Sequence, residues 1–186
     1  LTTRDELRLL EIAHRLKSQS EMEISITWLG AHDTPPGGNR TAYVDELIAE
    51  QLPAVAEQGY ANSADVFCEP GWFTIDETER ICKSSLECGL DIRLHVDEFS
   101  DGGGLALAAE LNAITADHAA HSSDDARIEA NKAGTIQGFL PGTPYVLGSK
   151  HWPPIAKSIE NDWAWYLASD FNPNCHSLSL PMVGSI

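Results

Sequence analysis

The stretch "DIRLHVDEFSDGGGLALAAELN", residues 91–112, decides the fold because it holds a strand, a glycine loop and a helix in direct succession. Apolar and polar residues alternate in "DIRLHVDE", residues 91–98, which is typical of a strand with one buried face. A run of glycines follows at 102–104 and indicates a loop. The good helix formers of residues 104–112 come next. The stretch therefore predicts one βα unit.

The same order of elements repeats along the chain. Thr3 is a candidate cap for the first helix, with Glu6 three residues later. Helices are predicted over residues 3–17, 43–58, 74–88, 104–112, 124–133 and 154–160, and strands over residues 23–32, 64–69, 91–98, 113–121, 134–142 and 163–170. Strands that alternate with helices in this way are typical of βα units on a parallel sheet, so the predicted fold class is α/β.

Composition limits the classes of function. The 186 residues are 42% hydrophobic, enough for one domain with a buried core, and their net charge of −16 disfavours nucleic acid and anionic lipid as partners. No apolar run approaches the roughly 18 residues of a membrane span. The four cysteines form no CxxC pair, which favours reduced thiols and a cytoplasmic location.

Polar side chains mark the ends of the predicted strands. His32, Glu69, His95, His118 and Asp170 each lie at or just beyond a strand end. In a parallel α/β barrel these ends open onto one face, where active sites are built. The sequence therefore predicts that these residues converge on one site.

Taken singly, each of these residues has a second interpretation. His95 is either a structural histidine or a metal ligand, and Glu98 is either a solvated loop acid or a contact to a substrate amide. His118 or His121 can act as a general acid or base, the other being a surface residue. Asp170 either ligates a metal or caps the next turn. The glycines are interpreted as a flexible loop, since no GxxxxGK[ST] pattern surrounds them.

Longer motifs add a resemblance to a known family. The chain resembles the imidazolonepropionase family of the amidohydrolase superfamily from its first helix to its last residue. The segments that carry the resemblance, in family order, are "FCEPGWF" (67–73), "HVDEFSDGGGLALAAEL" (95–111), "ADHAAHSS" (116–123), "PGTPYVLG" (141–148), and "SDFNPNC" (169–175) followed by "SLSLPMV" (177–183).

The resemblance implies a metal-dependent (β/α)₈ barrel. Such an enzyme hydrolyses the ring C–N bond of 4-imidazolone-5-propanoate and yields N-formimidoyl-L-glutamate, a step of histidine degradation. It implies one zinc or iron ion with His95 and Asp170 as ligands. It also implies His118 as the catalytic histidine, with Glu98 and Asp170 assisting the chemistry.

The resemblance implies substrate contacts as well. Glu98 would contact the imidazolone ring, His32 in "GAHDTP" would bind substrate, and Asn172 would hold its polar end. After "FNP" the family usually has Gly and then Ser or Thr, whereas this chain has Asn174 and Cys175 at these substrate-binding positions. Members of the family usually pair, which implies a homodimer.

Two family features are missing from the sequence. No H-x-H pair occurs, and the six predicted strands correspond to the third to eighth strands of the barrel, without the first two strands or the small β-sandwich. We expect residues 1–186 to form a single partial-barrel catalytic domain that binds metal weakly and turns over no substrate alone. The alternatives are another amidohydrolase, either a cyclic amide hydrolase or a nucleobase-type deaminase, and a non-catalytic truncated barrel.

Overall fold

The computed structural model describes residues 2–176 and 179–186 and divides the chain into two compact units. The first unit is Leu1–Arg93 and the second is Leu94–Ile186. The boundary falls inside the third strand, so each unit contains one half of that strand. The expectation of a single domain stays a prediction.

The first unit alternates helices and strands. Its elements are α1 (Thr3–Lys17), β1 (Thr27–Ala31), α2 (Arg40–Glu46), a π-helical segment (Leu47–Gln51), α3 (Leu52–Gln58), β2 (Ser63–Cys68), α4 (Ile75–Glu87) and the first half of β3 (Asp91–Val96). Strands β1 and β2 are parallel, with Thr27 opposite Ser63. The core between sheet and helices holds the fully buried side chains of Trp28, Leu47 and Ile81.

The first helix has the predicted bounds, Thr3–Lys17, but its capping residue lies one position earlier than predicted. Thr2, not Thr3, caps α1: its hydroxyl accepts from the Asp5 N–H at 3.3 Å, and the Asp5 carboxylate accepts from the Thr2 N–H at 3.3 Å. The pairing of Thr3 with Glu6 is therefore wrong. Glu6 is turned inward and only 5% exposed, and burial raises the pKa of its carboxyl group.

The predicted helix over residues 43–58 is not one regular helix. It begins at Arg40, where the Asn39 side chain accepts from the Ala42 N–H at 3.1 Å, and changes to π geometry over Leu47–Gln51. Proline at position 53 has no N–H to donate, and its ring would clash with a carbonyl one turn earlier. The wider π turn directly before Pro53 relieves that conflict.

The second unit continues the same alternation. Its elements are the second half of β3, α5 (Gly104–Glu110), β4 (Thr115–His118), α6 (Asp124–Ala133), β5 (Ile136–Phe139), α7 (Gly142–Leu147), α8 (Ile155–Glu160), β6 (Trp165–Leu167) and α9 (Leu180–Val183). Its strands are neighbours in chain order, from β3 through β4 and β5 to β6. Both β4 and β6 pair with β5 in parallel. The α/β class is thereby confirmed.

The strands of the second unit are shorter than predicted. Left-handed backbone occurs directly after β3 at Asp97 (φ 49°), at the last residue of β4, His118 (φ 65°), and three residues after β6 at Asp170 (φ 53°). This conformation is incompatible with a strand. The chain therefore turns where the hydrophobic alternation alone predicts that it continues.

Two short helices were not predicted. Helix α7 lies in "PGTPYVLG" and α9 in "SLPMV", and both contain a proline, which indicates a turn by composition. Pro144 and Pro181 lie in the first turns of these helices, where a missing N–H costs no hydrogen bond. No helix among residues 2–176 and 179–186 is long and apolar enough to cross a membrane.

Gly138 on β5 tests the close packing of this strand beside Asp117 of β4 and Tyr166 of β6. A Cβ atom there would overlap Asp117 Oδ1 and lie 2.7 Å from both Cζ and Oη of Tyr166. We expect Gly138→Ala to lower the free energy of unfolding by about 1–3 kcal/mol through overpacking, measured by urea denaturation. Gly184→Ala is the control, because its added Cβ would have no neighbour nearer than 3.5 Å. Equal losses in the two variants would contradict this account of the β5 surface.

Candidate active site

Three strand ends of the second unit bring together two imidazoles and a carboxylate. Ligand atoms of His95, His118 and Asp170 all lie within 4.8 Å of one another. His118 is buried, whereas His95 and Asp170 are half-buried. Two nitrogen donors and one carboxylate form a donor set that suits zinc or iron, so the residues present fit such an ion.

The His118 side chain lies at the centre of this group. Its ring centroid is 5.3 Å from that of His95, and its Nε2 is 3.6 Å from Oε2 of Glu98. The His118 side chain is 5% exposed and that of Glu98 is 14% exposed. The two side chains are therefore close enough to interact electrostatically in a region shielded from solvent.

Asp170 is oriented by two neighbours. The Thr143 hydroxyl donates to Asp170 Oδ2, and the Asn172 amide donates to Asp170 Oδ1 at 3.1 Å and to the Asp170 carbonyl at 2.8 Å. Each carboxylate oxygen therefore has a donor that restrains it. Thr143 was not predicted as a site residue, although it lies in the motif "PGTPYVLG".

The loop after Asp170 is shaped by Asn172. The Asn172 side-chain oxygen accepts from the backbone N–H of Asn174 at 2.8 Å and from that of Cys175 at 3.2 Å. Asn174 is exposed, while Cys175 is buried with its Sγ 3.8 Å from the Ser169 carbonyl. These contacts assign Asn172 and Cys175 a part in holding the loop, and their contact with substrate stays a prediction.

His32 and Glu69 lie in the first unit. His32 follows β1, and its Nε2 is 3.2 Å from Oδ1 of the buried Asp65 on β2. Glu69 follows β2 and is buried. Their predicted place beside the residues of the second unit stays a prediction, as does the binding of substrate by His32.

An apolar pocket adjoins His118 and Glu98. It is a cavity of about 50 Å³, and its lining residues are Glu98, Phe99, His118, Ala120, Leu140, Thr143, Pro144, Leu147, Ser149, His151 and Pro153. Most of these side chains are apolar, while His118 and Glu98 supply a polar wall. This combination suits a small ring with hydrogen-bonding groups on one side.

His121 lies at the edge of this region. It is not the simple surface residue predicted from the sequence, because it is half-buried and stacks on His151 with ring centroids 4.0 Å apart. Burial and the neighbouring His151 lower the pKa of His121. Of the two histidines in "ADHAAH", His118 is therefore the one that lies with His95 and Asp170.

The fold resembles those of two solved deaminases. Guanine deaminase from C. acetobutylicum, solved with bound guanine, aligns with a TM-score of 0.73 and 15% identity over 100% of this chain and 48% of the deaminase. An adenosine deaminase from Xanthomonas campestris with bound zinc aligns with a TM-score of 0.60 and 11% identity over 86% of this chain and 39% of that one. These similarities confirm the predicted partial-barrel fold.

Sequence comparison identifies relatives with much higher identity than these solved structures. No protein-family model matches it. Imidazolonepropionase from Symbiobacterium thermophilum is 40% identical over 98% of this chain and 44% of the relative, and that from Shewanella sediminis is 38% identical over 99% and 47%. The chain thus spans less than half the length of these relatives. At this identity over nearly all of its residues, the chain is a homologue of the corresponding part of the imidazolonepropionases.

Proposed function

We propose that these residues form part of the active site of a metal-dependent imidazolonepropionase, which opens the ring of 4-imidazolone-5-propanoate to give N-formimidoyl-L-glutamate. The observation that carries the proposal is the grouping of His95, His118 and Asp170 within 4.8 Å, beside Glu98, in a homologue of the imidazolonepropionases. The activity is that of the protein containing this chain.

His95 and Asp170 would hold one zinc or iron ion. When bound, the metal would lower the pKa of its water toward neutrality and polarise the ring carbonyl. Two protein ligands are fewer than the three or more of known catalytic zinc sites, so further donors are needed. The donor types do not distinguish zinc from iron.

The Asp170 carboxylate can accept a proton from the attacking water. Its two oxygens are restrained by Thr143 and Asn172, so the acceptor atoms stay in place when the proton arrives. Such positioning reduces the entropic part of the barrier. Asp170 therefore combines the roles of ligand and proton acceptor.

His118 and Glu98 would act on the substrate ring. The His118 imidazole can carry a positive charge near neutral pH, and the Glu98 carboxylate 3.6 Å away stabilises that charge. The imidazolium can stabilise the negative charge that develops on the carbonyl oxygen or deliver a proton to the departing nitrogen. Glu98 can also accept a hydrogen bond from a ring N–H and so orient the ring.

The remaining parts of the proposal concern location and assembly. We infer a cytoplasmic protein, supported by four cysteines that are all free thiols. A small-molecule substrate and a homodimer complete the proposal. His32, Asn172, Asn174 and Cys175 are proposed as further substrate contacts.

Replacement of the histidines separates metal binding from chemistry. In the protein containing this chain, His95→Ala should weaken zinc binding by more than about 10- to 100-fold. Replacing a residue that only hydrogen-bonds a metal ligand already causes a loss of that size, and His95 is a proposed ligand itself. His118→Ala should retain the metal and lower kcat/KM by about 10²- to 10⁴-fold, because an acid–base group is lost. Metal analysis after dialysis and a ring-opening assay measure the two effects.

His176→Ala is the matched control for both histidine variants. His176 is exposed, its Nε2 lies 2.7 Å from the Pro173 carbonyl oxygen, and it is not one of the proposed ligands. It should behave like the wild type. Loss of metal from His118→Ala with retention in His95→Ala would refute the proposed division of roles.

Glu98→Gln tests the proposed role of the carboxylate beside His118. The amide keeps the shape of the side chain but cannot stabilise a charged His118, so we expect kcat to fall by about 10²-fold or more.

Wild-type protein should consume 4-imidazolone-5-propanoate without releasing ammonia. Release of ammonia from guanine or another nucleobase, without imidazolone hydrolysis, would identify a deaminase instead.

The 186-residue chain alone provides a further test. With two proposed ligands, it should bind zinc weakly and show no turnover of 4-imidazolone-5-propanoate, since a complete site needs more donors. Isothermal titration with Zn²⁺ and the ring-opening assay measure this. Stoichiometric tight binding with turnover would show that residues 1–186 are sufficient.

A further inference from the structure

Asp97 is a fully buried carboxylate in the loop between β3 and α5. Its Oδ1 accepts from the backbone N–H groups of Gly102 and Gly104, both at 3.0 Å. Its Oδ2 accepts from the Leu105 N–H at 3.2 Å and from the Ser122 hydroxyl at 2.6 Å. Four donors thus satisfy a charge that would otherwise be costly to bury.

These contacts also explain the glycine run. The N–H groups of Gly102 and Gly104 point at Asp97, so they are not available to bind a phosphate. The loop is held by an internal anion, and it is therefore less flexible than the sequence alone indicates.

Ser122 connects Asp97 to a buried cation. While its hydroxyl donates to Asp97, its carbonyl accepts from Arg127 Nη2 at 3.2 Å. Arg127 on α6 is 2% exposed and also donates to the Ala119 carbonyl and, at 2.5 Å, to Gln137 Oε1. Burial lowers the pKa of Arg127. The negative charges of Asp124, Asp97 and Asp101 act in the opposite direction and only partly compensate. Ser122 therefore lies between a buried anion and a buried cation.

This network surrounds the segment that follows His118. The backbone is left-handed at His118 and Ala119, with φ of 65° and 48°, a conformation that needs support from its surroundings. Arg127 binds the Ala119 carbonyl, and the Asp97 carbonyl accepts from the His121 N–H at 3.0 Å. Asp97 also directly precedes Glu98. One network thus restrains the backbone at both His118 and Glu98.

We propose that Asp97, Ser122 and Arg127 are positioning residues that hold the His118 imidazole in place relative to the Glu98 carboxylate. The proposal rests on the proposed function in so far as His118 and Glu98 carry the chemistry. The three residues act through the backbone on either side of the pocket. Selecting one conformation is a documented role of buried polar and ionic groups in several proteins, and it is the role proposed for this network.

Two adjacent serines allow a matched test. Ser122→Ala removes the hydroxyl that donates to Asp97, while Ser123→Ala removes the cap of α6, where the Ser123 hydroxyl accepts from the Ala126 N–H at 3.3 Å. Both variants delete one oxygen from neighbouring positions. Only the first removes a contact of the network.

We expect Ser122→Ala to lower kcat by about 10-fold or more, because small misplacements of catalytic groups are costly, with KM and metal content near wild type. It should also shift the imidazole resonance of His118 in protein labelled with ¹³C-histidine, a signal assigned by its loss in His118→Ala. Ser123→Ala should lower Tm and leave kcat and the His118 signal unchanged. Arg127→Lys keeps the charge but not the forked donor, so it should resemble Ser122→Ala.

The proposal is overturned if Ser122→Ala and Arg127→Lys keep both the wild-type kcat and the wild-type His118 signal. It is equally overturned if Ser123→Ala perturbs His118 as much as Ser122→Ala does, because the effect would then be a general loss of stability. If wild-type protein fails to hydrolyse 4-imidazolone-5-propanoate, the proposed function fails, while the His118 signal of the Ser122→Ala variant still decides the positioning role.

Discussion

Left-handed backbone at the strand ends is the constraint on which the site depends. A positive φ occurs at Asp97 directly after β3, at His118 at the end of β4, and at Asp170 three residues after β6. This conformation costs of order 1–3 kcal/mol at a residue other than glycine, though Asp and His tolerate it better than most. The site residues of the second unit lie at or beside these turns.

The cost of these turns is offset by hydrogen bonds to the residues that adopt them. Asp97 accepts from three backbone amides and a hydroxyl, and Asp170 accepts from Thr143 and Asn172. The carbonyl after His118 is bound by Arg127. The polar groups that support the turns therefore also orient the carboxylate and imidazole groups. Stability of the loops and geometry of the site have the same physical origin.

The sequence predicted the type and order of elements more accurately than their ends. Helix Asp124–Ala133 has the predicted bounds, because a serine cap and a following glycine mark them locally. The predicted strand over residues 163–170 is observed only at Trp165–Leu167. Apolar residues also flank the strand, at Trp163, Ala164 and Ala168. Apolar residue types alone do not distinguish a buried loop residue from a strand residue, so the predicted strand was too long. Helix α7 was missed because its glycine and proline indicate a turn.

For the site as well, the sequence predicted some features and only the structure showed others. Sequence motifs, through the family resemblance, predicted His95, His118 and Asp170 as site residues, and the alternation of strands and helices determined the α/β class. Tertiary structure alone showed that His121 stacks on His151, and that Asp97, Thr143 and Arg127 support the loops around the site. These roles depend on contacts between residues distant in the sequence, such as Thr143 and Asp170, which are 27 positions apart, and on backbone angles that no local pattern encodes.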